Sequence, residues 1–139
     1  MKKYKIGYTQ GVFDMFHVGH LNLLNEAKKH CDVLIVGVNS DDLVKQYKEK
    51  IPIIEENDRK AIVENIKSVD KALIVNTLDK TEVLKSIKFD VIFIGDDWKG
   101  NSRWEETEKQ MKCKGIDLFY LPYTKRISST LLRKKIETK

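Results

Sequence analysis

Residues 32–38 read Asp32-Val33-Leu34-Ile35-Val36-Gly37-Val38, a run that is apolar at almost every position. Such a run is typical of a strand buried on both faces, as in a parallel sheet that is covered by helices. Similar runs occur before and after it along the chain. The strands predicted from them are Tyr4–Thr9, Asp32–Val38, Lys71–Val75, Asp90–Gly95 and Ile116–Leu121.

Amphipathic stretches separate these strands and predict helices, because apolar residues recur at three- and four-residue steps. The predicted helices are His20–His30, Asp58–Lys67, Thr81–Ile87, Ser102–Lys112 and a last one that Ser128 or Ser129 caps. The alternation predicts an α/β fold with a doubly wound, five-stranded parallel sheet in the order 3-2-1-4-5 and helices on both faces. Lys45–Glu56 is predicted to be one long loop, and such loops are often functional lids.

Composition limits the classes of function. The 139 residues are 41% hydrophobic, which suits a single domain over residues 1–139. The 26 basic and 21 acidic residues give a net charge of +5, but they are mixed along the chain and argue against dedicated nucleic-acid binding. We see no apolar run that could span a membrane and no signal peptide. Cys31 and Cys113 cannot form a disulfide framework, so we expect a cytoplasmic protein.

The strongest functional signal is Gly11-Val12-Phe13-Asp14-Met15-Phe16-His17-Val18-Gly19-His20, directly after the first predicted strand. Gly11 lets a ligand approach the backbone, and Gly19 permits close packing where a helix begins. The start of that helix offers free amides and a positive dipole end to a phosphate. His17 and His20 can point the same way from the first turn and donate hydrogen bonds to a phosphoryl group. The carboxyl end of this strand is the expected ligand site.

Two other interpretations of the histidines stay open at this point. Together with Asp14, His17 and His20 could ligate zinc, although no cysteine or further histidine joins them. They could also be structural residues, since polar helix starts are common.

The HxGH element, preceded by GxFD, resembles the nucleotidylyltransferase superfamily, whose members join a nucleoside triphosphate to a phosphorylated acceptor and release pyrophosphate. Two later segments resemble the glycerol-3-phosphate cytidylyltransferases: Gly95-Asp96-Asp97-Trp98 is similar to their GDDW segment, and Ile127-Ser128-Ser129-Thr130 to the end of their RTxGIST signature. Arg59 stands where that family carries an arginine at the start of a helix. The resemblance implies a Rossmann-like fold and two histidines that stabilise the transition state at the α-phosphate.

One stretch departs from the family pattern. Tyr123 stands where the family has an arginine, and Arg126 stands where it has a glycine. Lys125 and Arg126 are the candidates to restore the missing cation from a shifted position.

The resemblance implies a role for each matching residue. The expected catalytic residues are His17, His20, Lys48 and Arg59. The expected nucleotide-binding residues are Gly11, Phe13, Asp14, Gly19, Gly95, Asp96, Thr124, Ile127, Ser128, Ser129 and Thr130. The expected acceptor-binding residues are Lys50, Arg59, Asp97 and Trp98, with Trp104 as a further wall and Lys48, Lys99 and Arg103 as further candidate cations. Mg²⁺ is expected to accompany the nucleotide, with Asp14 orienting the histidine segment or helping to place the ion.

The implied reaction is the transfer of CMP from CTP to a small phosphorylated alcohol, with glycerol 3-phosphate as the leading acceptor. Phosphocholine and ribitol 5-phosphate are alternative acceptors. Lys50-Ile51-Pro52-Ile53-Ile54 also resembles the archaeal FAD synthetases, which would use FMN and ATP. The alternative of a different class is a non-catalytic nucleotide-binding domain. Because the related cytidylyltransferases are dimers, a homodimer is expected.

Overall fold

The computed structural model describes residues 4–48, 50–122, 124 and 128–137, apart from the side chain of Asp97. Strands and helices alternate along most of this length. In chain order the elements are β1 (Tyr4–Gly11), α1 (Val18–Lys29), β2 (Cys31–Asn39), α2 (Asp41–Lys48), α3 (Glu56–Glu64), β3 (Lys71–Val75), α4 (Lys80–Ser86), β4 (Val91–Gly95), a 3₁₀ turn (Asp96–Trp98), α5 (Ser102–Lys112), β5 (Asp117–Leu121) and α6 (Ser129–Glu137).

The five strands form one parallel sheet in the order β3-β2-β1-β4-β5, which confirms the predicted fold class and strand order. The central strand β1 pairs with β2 along its length and with β4 around Tyr8 and Ile92. Since parallel strands end at one edge, the segments that follow all of them meet there. The strand order reverses beside β1, and open α/β sheets bind ligands at that point.

Two apolar layers cover the sheet, one on each face. The layer that holds α1 and α3 buries Phe13, Leu24, Ala27, Leu34, Val36, Val63, Val91 and Phe93. The layer that holds α4 and α5 buries Tyr8, Val83, Phe89, Ile92, Ile94, Trp104 and Met111. The ligand edge of the sheet is therefore bordered by helix starts from opposite faces.

The prediction of one long loop over Lys45–Glu56 is partly wrong, because Lys45–Lys48 forms the second half of α2. The Ser40 hydroxyl accepts the amide of Leu43 and starts this helix, and Leu43 and Val44 are buried. The described part of the loop is limited to residues 50–54, and the side chain of Glu55 caps α3. Sequence periodicity missed α2 because eight residues contain little more than two turns. In the described part of the chain, no helix has the length and apolar character needed to cross a membrane.

Candidate active site

The turn after β1 carries the HxGH element in a strained conformation. Phe13 and Met15 have φ angles of 56° and 49°, in the left-handed region that side chains other than glycine rarely adopt. Such conformations persist only where surrounding contacts hold them, and they cluster at functional sites. Here an Arg59 guanidinium nitrogen donates to the Val12 carbonyl at 2.7 Å, and the Ser129 hydroxyl donates to the Asp14 carbonyl at 2.6 Å.

His17 and His20 lie side by side at the start of α1, with ring centroids 3.8 Å apart. His17 caps the helix, and its Nδ1 accepts the amide of Gly19 at 3.0 Å. His20 Nδ1 accepts the amide of His17 at 3.1 Å. Because both Nδ1 atoms accept hydrogen bonds, each neutral ring carries its proton on Nε2. The backbone therefore fixes one tautomer in both rings and presents two Nε2–H donors.

The same surroundings keep these rings uncharged. Burial lowers the pKa of His17. Burial, and then the adjacent charge of His17, lowers the pKa of His20 to about 4, against a partial opposing effect of Asp14. His17 Nε2 is buried and has no hydrogen-bond partner among the described residues. At neutral pH the pair can thus donate hydrogen bonds to an anion without first gaining a proton.

The Asp14 side chain forms hydrogen bonds that connect two other segments of the chain to the turn. Its carboxylate accepts the amides of Ile53 and Ile54, both at 2.9 Å, and a guanidinium nitrogen of Arg133 at 3.1 Å. Burial alone would raise the pKa of Asp14, but these hydrogen bonds and the Arg133 charge lower it. Arg133 also donates to the Ile51 carbonyl at 3.2 Å. Asp14 thereby joins the loop before α3 to α6.

Arg59 lies near the start of a helix, α3, as predicted, and it is buried there. It is 1% exposed, and its guanidinium donates to the carbonyls of Val12, Asn39 and Ile54 and to the Asp41 carboxylate. It does not line the cavity described below. Protein acceptors surround its guanidinium and give Arg59 a structural role, and its contact with a phosphate stays a prediction.

Helix α6 reaches the site through polar contacts. The Ser128 hydroxyl accepts the amide of Leu131 at the helix start, and Ser129 bonds the turn as described above. No residue of α6 is buried. Thr124 lies beside α1, where its hydroxyl oxygen accepts a hydrogen bond from the side-chain amide of Asn22 at 3.1 Å. Ile127, and with it Tyr123, Lys125 and Arg126, lies outside the described residues.

A cavity of about 580 Å³ opens at the carboxyl edge of the sheet. A second one of about 190 Å³ lies beside it and shares His20, Gly95, Trp98 and Ser129 with it. The predicted residues that line the larger cavity are Gly11, Phe13, Asp14, His20, Lys48, Lys50, Gly95, Trp98, Ser129 and Thr130, together with Trp104 and Arg103. The smaller one adds His17, Gly19, Thr124 and Ser128. Asp96 and Lys99 line neither cavity, and the side chain of Asp97 is outside the described structure.

Sequence reasoning missed a hydrogen-bonded chain at the larger cavity, in which Gln10, Asn39 and Tyr47 line the cavity and Tyr8 is buried behind them. The Tyr8 hydroxyl donates to Gln10 Oε1, Gln10 Nε2 donates to Asn39 Oδ1, and Asn39 Nδ2 donates to the Tyr47 hydroxyl oxygen. A Cβ at Gly37 would lie 2.2 Å from the Tyr8 hydroxyl oxygen, so only glycine leaves room there for this hydroxyl. The pairing of β1 with β2 brings Gln10 to Asn39, and α2 brings Tyr47 to them.

The wall opposite α1 holds a second missed feature, the buried basic side chain of Lys80. It is 5% exposed, its Nζ donates to the Leu78 carbonyl at 2.8 Å, and it lies 5.0 Å from the Trp104 ring centroid. Burial, and then the charge of Arg103, lowers the pKa of Lys80 to about 8, although Asp79 opposes the shift. A lysine in the first turn of a helix opposes the helix dipole, and that was the available sequence signal.

Lys48 stands on a third side of the cavity, at the end of α2. Burial, and then the charge of Arg133, lowers the pKa of Lys48, while Asp14 raises it. Lys48, Lys80, Arg103, Arg133 and Lys134 all line the cavity, and the described acidic side chains among its lining are Asp14 and Glu137. The balance of charge favours an anionic ligand.

The zinc interpretation gains no support here. Within the described ranges, no group of three or more histidine, cysteine, aspartate or glutamate side chains is arranged to hold a metal ion. Asp14, the proposed third ligand, already accepts three hydrogen bonds from the protein.

Comparison with known proteins decides the family. A model described as cytidylyltransferase-like matches residues 8–135. The chain belongs to the cytidylyltransferase-like family. Bifunctional protein HldE of Aliarcobacter butzleri is 42% identical to it over 97 residues, which are 69% of this chain and 20% of that protein. HldE of Nitratiruptor sp. is 40% identical over 97 residues, 69% of this chain and 21% of that protein. This cytidylyltransferase-like chain thus spans about a fifth of the length of these curated relatives.

Two solved structures share the fold of this cytidylyltransferase-like chain. A lipopolysaccharide core biosynthesis protein from Thermoplasma volcanium is 31% identical, with a TM-score of 0.74 over 89% of this chain and 99% of that one. Pantothenate synthetase from Thermus thermophilus is 12% identical, with a TM-score of 0.65 over 96% of this chain and 66% of that one, and shows the likeness of the fold alone. The family model and the shared fold thus agree with each other.

Proposed function

We propose that the protein transfers CMP from CTP to a small phosphorylated alcohol and releases pyrophosphate, with glycerol 3-phosphate as the leading acceptor. The observation that carries the proposal is the orphaned Nε2–H of His17. A buried donor without a partner calls for an acceptor, and a phosphoryl oxygen at a helix start supplies one.

In the proposed reaction, an oxygen of the acceptor phosphate attacks the α-phosphorus in line. The new P–O bond forms as the bond from that phosphorus to the bridging oxygen breaks, and the bond electrons leave with pyrophosphate. His17 and His20 donate from Nε2 to the α-phosphoryl oxygens as their charge is redistributed. Because both donors are held in place beforehand, they need not reorganise during the reaction.

The start of α6 suits the β- and γ-phosphates. The amides of Ser129 and Thr130 lie in the first turn of that helix, and first-turn amides have no partner inside a helix. Lys48 and Arg133 add positive charge on the same side of the cavity. These groups would stabilise the charge that develops on the leaving pyrophosphate.

The wall of the cavity opposite α1 is suited to bind the phosphorylated acceptor. Lys80 and Arg103 face the cavity beside Trp104, and the described carboxylates form no ion pair with either cation. Lys50 lines the same cavity. An acceptor with a doubly charged phosphate would bind these cations. Lys80 thus takes the phosphate-neutralising role that the sequence assigned to Arg59.

Mg²⁺ enters the proposal as a companion of the triphosphate. Asp14 does not suit direct coordination, because backbone amides and Arg133 already occupy its carboxylate. The predicted part of Asp14 in placing the ion therefore gives way to its part in joining the loop to α6. We propose that the triphosphate oxygens hold the ion.

A second acceptor class follows from one comparison. The relative from Thermoplasma volcanium is described as a lipopolysaccharide core biosynthesis protein, and polysaccharides are assembled from activated sugars. A sugar phosphate would offer the same phosphate and more hydroxyl groups to the same cavity.

The test is pyrophosphate release from each pair of nucleotide and acceptor. The nucleotides are CTP, ATP, GTP and UTP, and the acceptors are glycerol 3-phosphate, ribitol 5-phosphate, phosphocholine, a hexose 1-phosphate, a heptose 1-phosphate and FMN. We expect the highest kcat/KM for CTP with glycerol 3-phosphate. Release with ATP and a sugar phosphate, or with ATP and FMN, would overturn the substrates and keep the chemistry. No release from any pair would support a non-catalytic domain.

We also propose that the enzyme is a homodimer, as the resemblance to the dimeric cytidylyltransferases implies. The apolar side chains of Ile51, Ile53 and Ile136 are more than half exposed, and the Arg133–Ile51 hydrogen bond holds their two segments together. Sedimentation at micromolar concentration should give twice the 16.2 kDa mass of the chain. A monomer across that range would contradict the proposal.

A further inference from the structure

Trp104 carries a polar atom that the fold leaves unpaired. It stands in the first turn of α5, where the Asn101 side chain accepts its backbone amide, and its ring packs in the layer of α4 and α5. The residue is 8% exposed and lines the larger cavity. Its indole Nε1 is buried and has no hydrogen-bond acceptor among the described residues. Buried donors in native structures normally have a partner, so this one points to a ligand.

The surroundings indicate what kind of atom this ligand presents. Lys80 Nζ lies 5.0 Å and the Arg103 guanidinium 5.6 Å from the ring centroid, so two cations flank the indole. In the proposed reaction these cations bind the acceptor phosphate. The indole N–H is an uncharged donor that cannot accept, and it suits an uncharged oxygen close to that phosphate. In a phosphorylated alcohol, that oxygen belongs to a hydroxyl group.

We propose that the Trp104 indole N–H donates a hydrogen bond to a hydroxyl oxygen of the acceptor and so selects hydroxylated acceptors. The inference rests on the proposed function, because it concerns the acceptor of that reaction. A site built to bond a hydroxyl rejects the analogue without it, since its own buried donor stays unpaired. Phosphocholine presents methyl groups in place of that hydroxyl and would bind poorly.

The test compares Trp104→Phe with the wild type on matched acceptors. Glycerol 3-phosphate is paired with 3-hydroxypropyl phosphate and with 2-hydroxypropyl phosphate, each of which lacks one hydroxyl group. The wild type should prefer glycerol 3-phosphate to the analogue that lacks the bonded hydroxyl group, whichever of the two it is. This preference should be roughly fivefold or more in kcat/KM, the value of one neutral hydrogen bond. Trp104→Phe keeps an aromatic ring but removes the N–H with the five-membered part of the indole, so this preference should fall to within about twofold. Its kcat/KM for that analogue should stay within about twofold of the wild-type value.

Two controls separate hydroxyl recognition from a packing effect. Tyr120→Phe changes an aromatic ring that packs against the same apolar layer and lines neither cavity, and it should leave the preference between acceptors unchanged. Because phenyl is smaller than the buried indole, ligand-free Trp104→Phe should lose some stability through packing, which by itself does not change the preference between acceptors. A lower unfolding temperature with an unchanged preference would show that the indole is structural only and would overturn the inference.

The other possible outcomes separate a failure of this inference from a failure of the proposed function. A loss that is equal for all three acceptors, or a rise only in the KM for CTP, would overturn the selection of a hydroxyl. An unchanged preference in an active enzyme overturns this inference and leaves the proposed function standing. No pyrophosphate from the wild type with any acceptor or nucleotide overturns both.

Discussion

Arg59 and Lys80 are both buried cations at the carboxyl edge of the sheet, but the fold uses them differently. Arg59 is 1% exposed and donates to three backbone carbonyls and the Asp41 carboxylate. Lys80 is 5% exposed, donates to the Leu78 carbonyl, and lines the cavity. Burial alone therefore does not distinguish a cation that stabilises the fold from one that is available to a ligand. The difference lies in whether protein acceptors surround the N–H donors of the side chain.

The largest expected effect is on stability, at Arg59. Arg59→Met should lower the free energy of unfolding by about 3 kcal/mol, because it leaves the three carbonyls and Asp41 without their donor. Urea unfolding monitored by circular dichroism measures the change. Lys60→Met is the matched control, since Lys60 forms a surface ion pair with Glu64 and should matter by less than about 1 kcal/mol. A stable Arg59→Met protein with only a raised KM would reverse the comparison.

The histidines are expected to affect turnover and not stability. His17→Ala and His20→Ala should each lower kcat by roughly a hundredfold or more, because each removes an oriented donor to the transition state. His30→Ala is the control, since His30 packs against Phe119 away from the cavity and should leave kcat unchanged. Near-wild-type turnover in a folded His17 or His20 variant would contradict the proposed role.

Lys80 is expected to affect acceptor binding. Lys80→Gln should raise the KM for the acceptor by roughly tenfold, the value of a lost charged hydrogen bond, and leave the KM for CTP nearly unchanged. Because folding buries this ammonium, the variant should be at least as stable as the wild type, the opposite of Arg59→Met. Lys85→Gln is the control on the same helix, where Lys85 pairs with Glu82 at the surface. A loss of stability in Lys80→Gln would show that Lys80, like Arg59, stabilises the fold.

The smallest effect is a pH dependence that Lys80 should confer on acceptor binding. Its pKa of about 8, lowered by burial and Arg103 and raised in part by Asp79, means that the ammonium loses its charge as the pH rises above 8. The KM for the acceptor should therefore rise severalfold between pH 7.5 and about 9. Arginine stays charged over this range, so Lys80→Arg should show a flatter profile. An equally flat wild-type profile would contradict the assignment.

The sequence predicts local features of the site better than features that depend on contacts between distant segments. The histidine turn could be read directly, because its residues lie within ten positions and the backbone amides that orient them belong to the same turn. The structural role of Arg59 could not be read, since the acceptors around it come from segments up to 47 residues away. Helix α2 was missed for its short length. Lys80 showed only a weak local signal.

By itself, the sequence determined the strands, the two-faced layering and the turn at the end of β1, because apolar periodicity and local hydrogen bonding depend on near neighbours along the chain. The strand order followed from the alternation of strands and helices and from the rule for doubly wound sheets. Tertiary structure alone decided which buried cation faces the cavity. It also left the indole N–H of Trp104 unpaired and joined Asp14 to the loop before α3 and to α6. The physical reason is that desolvation and hydrogen-bond pairing depend on distances in space. Those distances exist only once the parallel strands have brought the ends of distant segments to one edge.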